Sequence, residues 1–287
     1  MRAGASHESR GPLSVVLAGQ SKSGTTAILY KVRNSIPGRV RILFEPTGYT
    51  PGGRSRPVLA KVVLTPQVDM SGFEGFGKKV FIVRDPRDNL ISALLYGSFV
   101  TNIATDPERY ARFVGLLRKK ESDPGSVSVR ELIELIEALY PHFPLFEYWK
   151  RVHKLALAFG AAHPDYFRLR YEDFVDGQLA ELEAYLGFAL TGAAEVGRRW
   201  RRVVRTKGYG QWRAWLTEQD VPFLRPLMSD YLRAYGYADD WTLAERSVIP
   251  PEHGSLYVER ILAEKRRKDR LRRWFAWPLA VRRRLQK

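Results

Sequence analysis

Hydrophobic positions in the first third of the chain fall in short, nearly unbroken runs: LSVVLAG from position 13, RVRILFEP from 39, VLAKVVL from 58 and VFIV from 80. Runs of that length, rich in β-branched residues, suit strands covered on both faces, as in a parallel sheet. Helical spacing takes over between and after them. AILYKVRNSI follows the first run and should end at Gly38, and HFPLFEYWKRVHKLALAFG starts a later helix. From Asn89 to about Trp149 the pattern is helical, with ELIELIEAL its clearest amphipathic piece and a break at Asp123, Pro124 and Gly125. TGYTPGGRSRP reads as a loop, DYFRLRYEDF as a short strand closing on Tyr171, and LAELEAYLG as a helix capped by Gly187. Strands alternating with helices predict an α/β fold, a doubly wound parallel sheet flanked by helices, with ligands beyond the carboxyl ends of the strands. Lys22, Glu45 and Arg84 each follow directly on a predicted strand, which would put all three on one rim.

The first turn, GQSKSGTT, has the composition of an anion cradle. Gly19 and Gly24 bracket small polar residues, and a helix opens behind them. Free N–H groups at that helix start, its dipole, the hydroxyls of Ser23, Thr25 and Thr26 and the ammonium of Lys22 would converge on a phosphate-sized group. A plain polar turn has similar composition. The nucleotide-triphosphate loop G-x-x-x-x-G-K-[ST] matches in its glycines and final Thr, but Thr25 stands where that loop needs lysine. The displaced lysine, K-S-G-T-T after an apolar strand, resembles the 5′-phosphosulfate loop of sulfotransferases that use 3′-phosphoadenosine 5′-phosphosulfate. That family has a P-loop-like fold.

Three later stretches extend the resemblance. VFIVRDPRDNLISALLYGSF is similar to the family's 3′-phosphate motif. Arg84 offers a planar fork suited to a phosphate monoester, and Ser92 adds a neutral donor. Arg84 pairing with Asp88, or Asp85 acting as the metal-binding acid of a hydrolase, are the competing readings. FRLRYEDF resembles the family's L-R-Y-E-D segment and carries Tyr171, whose alternative is ordinary packing. RTKGYGQWRAWLT is similar to the closing loop R-K-G-x-x-G-x-W, with Arg205 and Gly210 in register from Trp212; Lys207 takes the place of the first glycine and Gly208 falls one residue late. The resemblance therefore implies a donor held by Lys22, Ser23, Gly24, Thr25, Thr26, Arg84, Ser92, Tyr171, Arg205, Lys207 and Gly208. Lys22 would stabilise the leaving oxygen, with no metal required. The histidine that small-molecule members carry two residues after a lysine of the third strand is replaced by Val63, counting from Lys61. Glu45, similar to the glutamate of carbohydrate sulfotransferases, is then the candidate base, its alternative being a structural pair with an arginine at the strand rim. It points to a carbohydrate or glycolipid acceptor. Ala27 stands where the family often has an adenine-stacking tryptophan.

Charge and composition narrow the remaining choices. The 287 residues carry 47 Lys and Arg against 31 Asp and Glu, a formal net charge of +16, which favours anionic partners without choosing among them. With no cysteine, disulfides and thiolate metal sites are excluded. MRAGASHESRGP lacks the apolar core of a signal peptide, and no stretch approaches the ~20 apolar residues of a membrane span. A soluble enzyme of the cytoplasm is expected, with a peripheral place on the inner membrane face as the alternative. The expected organisation is a disordered lead at 1–12, one sulfotransferase domain at 13–263, and a basic tail at 264–287. That tail interleaves Arg and Lys with Trp274, Phe275, Trp277 and Leu279, the composition of a helix lying on an anionic membrane, its alternative being a solvated basic helix that packs its aromatics on the body; no specific nucleic-acid partner is expected. A P-loop kinase or hydrolase and a non-catalytic basic module binding membrane or polysaccharide are the alternatives.

Overall fold

The computed structural model describes residues 12–50, 56–142 and 144–284, so most of the expected lead and positions 51–55 of the expected 47–57 loop lie outside it. In chain order the strands and helices are β1 (Ser14–Gly19), α1 (Thr25–Ser35), β2 (Arg41–Phe44), β3 (Val58–Val63), β4 (Lys78–Val83), α2 (Pro86–Val100), α3 (Pro107–Ser122), α4 (Val129–Leu139), α5 (Leu145–Ala162), β5 (Phe167–Arg170), α6 (Tyr171–Val175), α7 (Ala180–Leu186), α8 (Trp212–Trp215), α9 (Asp220–Ala234) and α10 (Ser255–Arg284). They form two compact units. The first comprises Met1–Arg84 with Val152–Gly197, and the second Asp85–Arg151 with Arg198–Lys287.

The first unit holds the sheet, five parallel strands in the order β2-β3-β1-β4-β5. Every residue of β1 is buried, as a central strand of this kind requires, whereas the edge strand β2 begins with two exposed residues. Side chains alternate between the faces. Val15, Leu17, Val80 and Ile82 join Ile28, Leu29 and Val32 of α1 and Leu182 and Leu186 of α7 in one core. Phe81, on the opposite face, meets Phe159 of α5 with ring centroids 5.1 Å apart. Helices on both faces make the sheet doubly wound. Strand order reverses at β1, flanked by β3 on one side and β4 on the other, so the turns after β1 and β4 adjoin at the switch point where such sheets bind ligands.

The second unit is helical. Its organiser is Asp220, fully buried, whose carboxylate accepts from the backbone N–H groups of Val129 and Arg130 (3.0 Å each) and from the backbone and hydroxyl of Thr217. It caps α4 from a distant part of the chain, alongside the capping box of Ser128 and Glu131. Lys120 is buried nearby and donates to the carbonyls of Pro124 and Val127. One boundary differs from expectation: Tyr171 opens α6 instead of ending a strand. The basic tail expected from 264 lies within α10, which runs unbroken from Ser255 through that position. Charge changes at 264, but backbone hydrogen bonding does not.

Candidate active site

In the first unit β1 ends at Gly19, where a Cβ would come within 2.8 Å of the Ile82 carbonyl, so the chain must leave the sheet without a side chain there. Lys22 then adopts φ 67, and Gly24 φ 87. Only glycine fits position 24 on two counts: its left-handed backbone, and a Tyr171 ring carbon 2.3 Å from where a Cβ would lie. Ser23 directs both its N–H and its hydroxyl to the Gln20 carbonyl, at 3.2 and 2.7 Å, closing the turn on itself. Gly24 gives α1 no side-chain cap, and Thr25 and Thr26 occupy its buried first turn. The helix start is therefore electropositive and has no acidic residue in its first turn.

Arg84, one residue beyond β4, is 5% exposed. Its Nη1 donates to the Lys22 carbonyl at 3.0 Å, and its guanidinium lies 4.4 Å from the centroid of the Tyr171 ring. Nε and Nη2 are buried and have no hydrogen-bond acceptor among the described residues. A buried cation with two unanswered donors is costly unless an anion answers them. Lys22 and Gly24 of the first turn, Arg84 and Tyr171, three stretches sixty or more positions apart in the chain, thus meet in one cluster.

Glu45 sits just beyond β2 with φ 52; it and Lys22 are the non-glycine residues of positive φ among the described residues. Its carboxylate, half exposed, pairs with the ammonium of Lys61, which is buried in β3. Its backbone N–H donates to the Lys61 carbonyl at 2.8 Å. Burial pulls the Lys61 pKa below its ordinary value, and the Glu45 carboxylate partly opposes that. The ion pair at Glu45 is thus made with a lysine and not with an arginine of the rim. The partner, Lys61, is the one charged residue within VLAKVVL, which is the signal that could have singled it out.

The remaining expected donor ligands lie in the second unit. Ser92 is buried on α2. Arg205, 8% exposed, donates to Gln211 Oε1 at 2.8 Å and to the His253 carbonyl at 3.2 Å. Gln211 Nε2 lies 3.1 Å from Thr206 Oγ1 and 3.2 Å from His253 Nδ1. The His253 pKa is lowered by burial and then by the neighbouring Arg205, with Glu252 opposing. Lys207 is exposed, and the Gly208 N–H donates to Thr206 Oγ1 at 3.0 Å. The loop they share is pinned by Asp88, fully buried, which accepts from the N–H groups of Gly210 and Trp212. Asp85, weighed as a metal-binding acid, caps α2 and accepts Arg87 Nε and Nη2 at 2.9 and 2.7 Å. Arg87 in turn lies 3.9 Å from the Trp212 ring centroid. Asp88, weighed as a partner of Arg84, instead takes the N–H groups of Gly210 and Trp212; Gln211 and His253 carry no signal in the sequence, since their partners are set by tertiary contact.

Two sequence comparisons return nothing: no protein-family model matches the chain, and no curated protein matches it. Among solved structures it is similar to the crystal structure of mouse sulfotransferase SULT7A1 complexed with PAP, at 15% identity and a TM-score of 0.47, covering 79% of this chain and 89% of that one. Among the described residues no helix is long and apolar enough to cross a membrane.

Proposed function

We propose that this protein is a sulfotransferase that moves the sulfuryl group of 3′-phosphoadenosine 5′-phosphosulfate to an acceptor hydroxyl, on a carbohydrate or glycolipid. The observation that carries the reading is Arg84. Its buried guanidinium holds the carbonyl of Lys22 while two of its donors meet no acceptor among the described residues, beside an uncapped helix start at the strand-order switch. That arrangement suits a doubly anionic ligand, with Lys22, Thr25, Thr26 and the α1 amides on the phosphosulfate and Arg84 on the 3′-phosphate. Ser92, Arg205, Lys207 and Gly208 are further donor ligands in this reading. Tyr171 braces Gly24 and Arg84 by packing.

The donor supplies the activated sulfuryl group. Lys22 stabilises the negative charge that grows on the oxygen bridging to phosphorus, so positioning and electrostatics do most of the work. Glu45, oriented by Lys61, takes the acceptor proton. The kinase or hydrolase reading loses support, because Thr25 replaces the lysine of that loop and Asp85 is engaged by Arg87.

Transfer of radiolabelled sulfuryl from the donor to fractionated carbohydrate and glycolipid acceptors tests the proposal, with Lys22→Ala and Lys22→Gly as variants. Both should lose transfer by about 100-fold or more. Lys22→Gly should be more stable than Lys22→Ala by about 1 kcal/mol, because glycine relieves the left-handed backbone. A folded Lys22→Ala protein with full transfer rejects the assignment.

A further inference from the structure

α10 changes character midway. Tyr257, Val258, Ile261 and Leu262 are buried, but from Ala263 to Leu271 no residue is, although the helix continues to Arg284. A helix of 30 residues is about 45 Å long, and the stretch from Ala263 to Leu271, more than two turns, buries no side chain. Isolated helix is marginal in water, so such a segment gains from a surface to lie on.

Its composition indicates which surface. Leu256, Arg260, Ala263, Arg267 and Arg270 are exposed at spacings of three and four, one continuous stripe, and Leu271 beside it is 44% exposed. The 3₁₀ turn Arg198–Val203 adjoins α10 through Arg202, which pairs with Glu264 at 3.6 Å and whose carbonyl accepts from Tyr257 at 3.0 Å. It adds exposed Arg198 and Arg201 to the same basic region. No acid occurs at 198–217 or after Asp269, while Trp274, Phe275, Trp277 and Leu279 follow in sequence. A polyanion in water would answer the cations alone; an anionic bilayer answers cations and apolar side chains together.

We infer that the part of α10 beyond Leu262, with the adjoining arginine turn, docks the protein on a membrane rich in anionic lipid. This is independent of the donor site. The test is flotation of the full-length protein with vesicles of phosphatidylcholine alone or with 30% phosphatidylglycerol. Binding should require the anionic lipid and weaken steeply between 0.1 and 0.5 M salt. Arg267→Glu with Arg270→Glu should reduce it at least about 30-fold, and Leu271→Gln severalfold, with helical content and melting unchanged. Equal binding to neutral vesicles, undiminished binding of the double reversal, or capture of single-stranded RNA without vesicle binding would each overturn the inference.

Discussion

Arg84→Met separates a ligand-binding arginine from a structural one, because the two roles predict stability changes of opposite sign. In the free protein Nε and Nη2 are buried without acceptors among the described residues, a cost of about 1–3 kcal/mol each. Methionine fills similar space and abolishes that cost. Against it stand the charge-assisted bond to the Lys22 carbonyl, about 1.5–3 kcal/mol, and the contact with the Tyr171 ring, about 0.5–1 kcal/mol. The balance centres on a variant about 1 kcal/mol more stable than the parent, within a range from about 2 less stable to about 4 more. Binding should move the other way. Loss of a buried charge-assisted contact to phosphate weakens affinity for 3′,5′-adenosine bisphosphate by about 2–4 kcal/mol, roughly 30- to 1000-fold. Urea unfolding with and without this ligand reads both quantities. At a concentration 100 times the parent's Kd the parent gains about 2.7 kcal/mol, and the variant should gain under about 1. A variant destabilised by more than 2 kcal/mol that keeps the parent's ligand shift would refute the reasoning and make Arg84 a structural tie.

Two further outcomes follow from named contacts. Gly24→Ala should destabilise by about 2–4 kcal/mol in the same unfolding assay, since it adds left-handed strain to a collision with the Tyr171 ring; unchanged stability would mean the turn relaxes freely. Lys120, whose pKa burial pushes down to about 8, sheds its proton in the folded state before it does so unfolded, so stability should rise with pH between about 8 and 10 at up to 1.4 kcal/mol per unit. Below that window both states are protonated and the slope vanishes. Tyr166 and Tyr257, pushed up by burial, act oppositely above pH 10, but they are common to Lys120→Met and cancel in the difference. Parallel stability curves for parent and variant would contradict the shift.

The central strands and the first turn were legible because buried parallel strands need unbroken apolar runs, and a turn hugging its sheet needs glycines at fixed places. LSVVLAG and G-Q-S-K-S-G carry those demands locally. Helix ends marked by their own residues, such as Gly187 with φ 84 behind α7, were legible for the same reason. Long-range partnerships were not. Lys61 meets Glu45, Arg84 meets the carbonyl of Lys22, Asp88 meets Gly210, and Asp220 caps α4 from about 90 positions away. A carboxylate or guanidinium has the same local sequence signature whether it faces water, a ligand or a distant backbone amide. Strand order, too, arises from crossovers that hydrophobic pattern does not encode, and it is the order β3-β1-β4 that brings the two turns of the candidate site side by side.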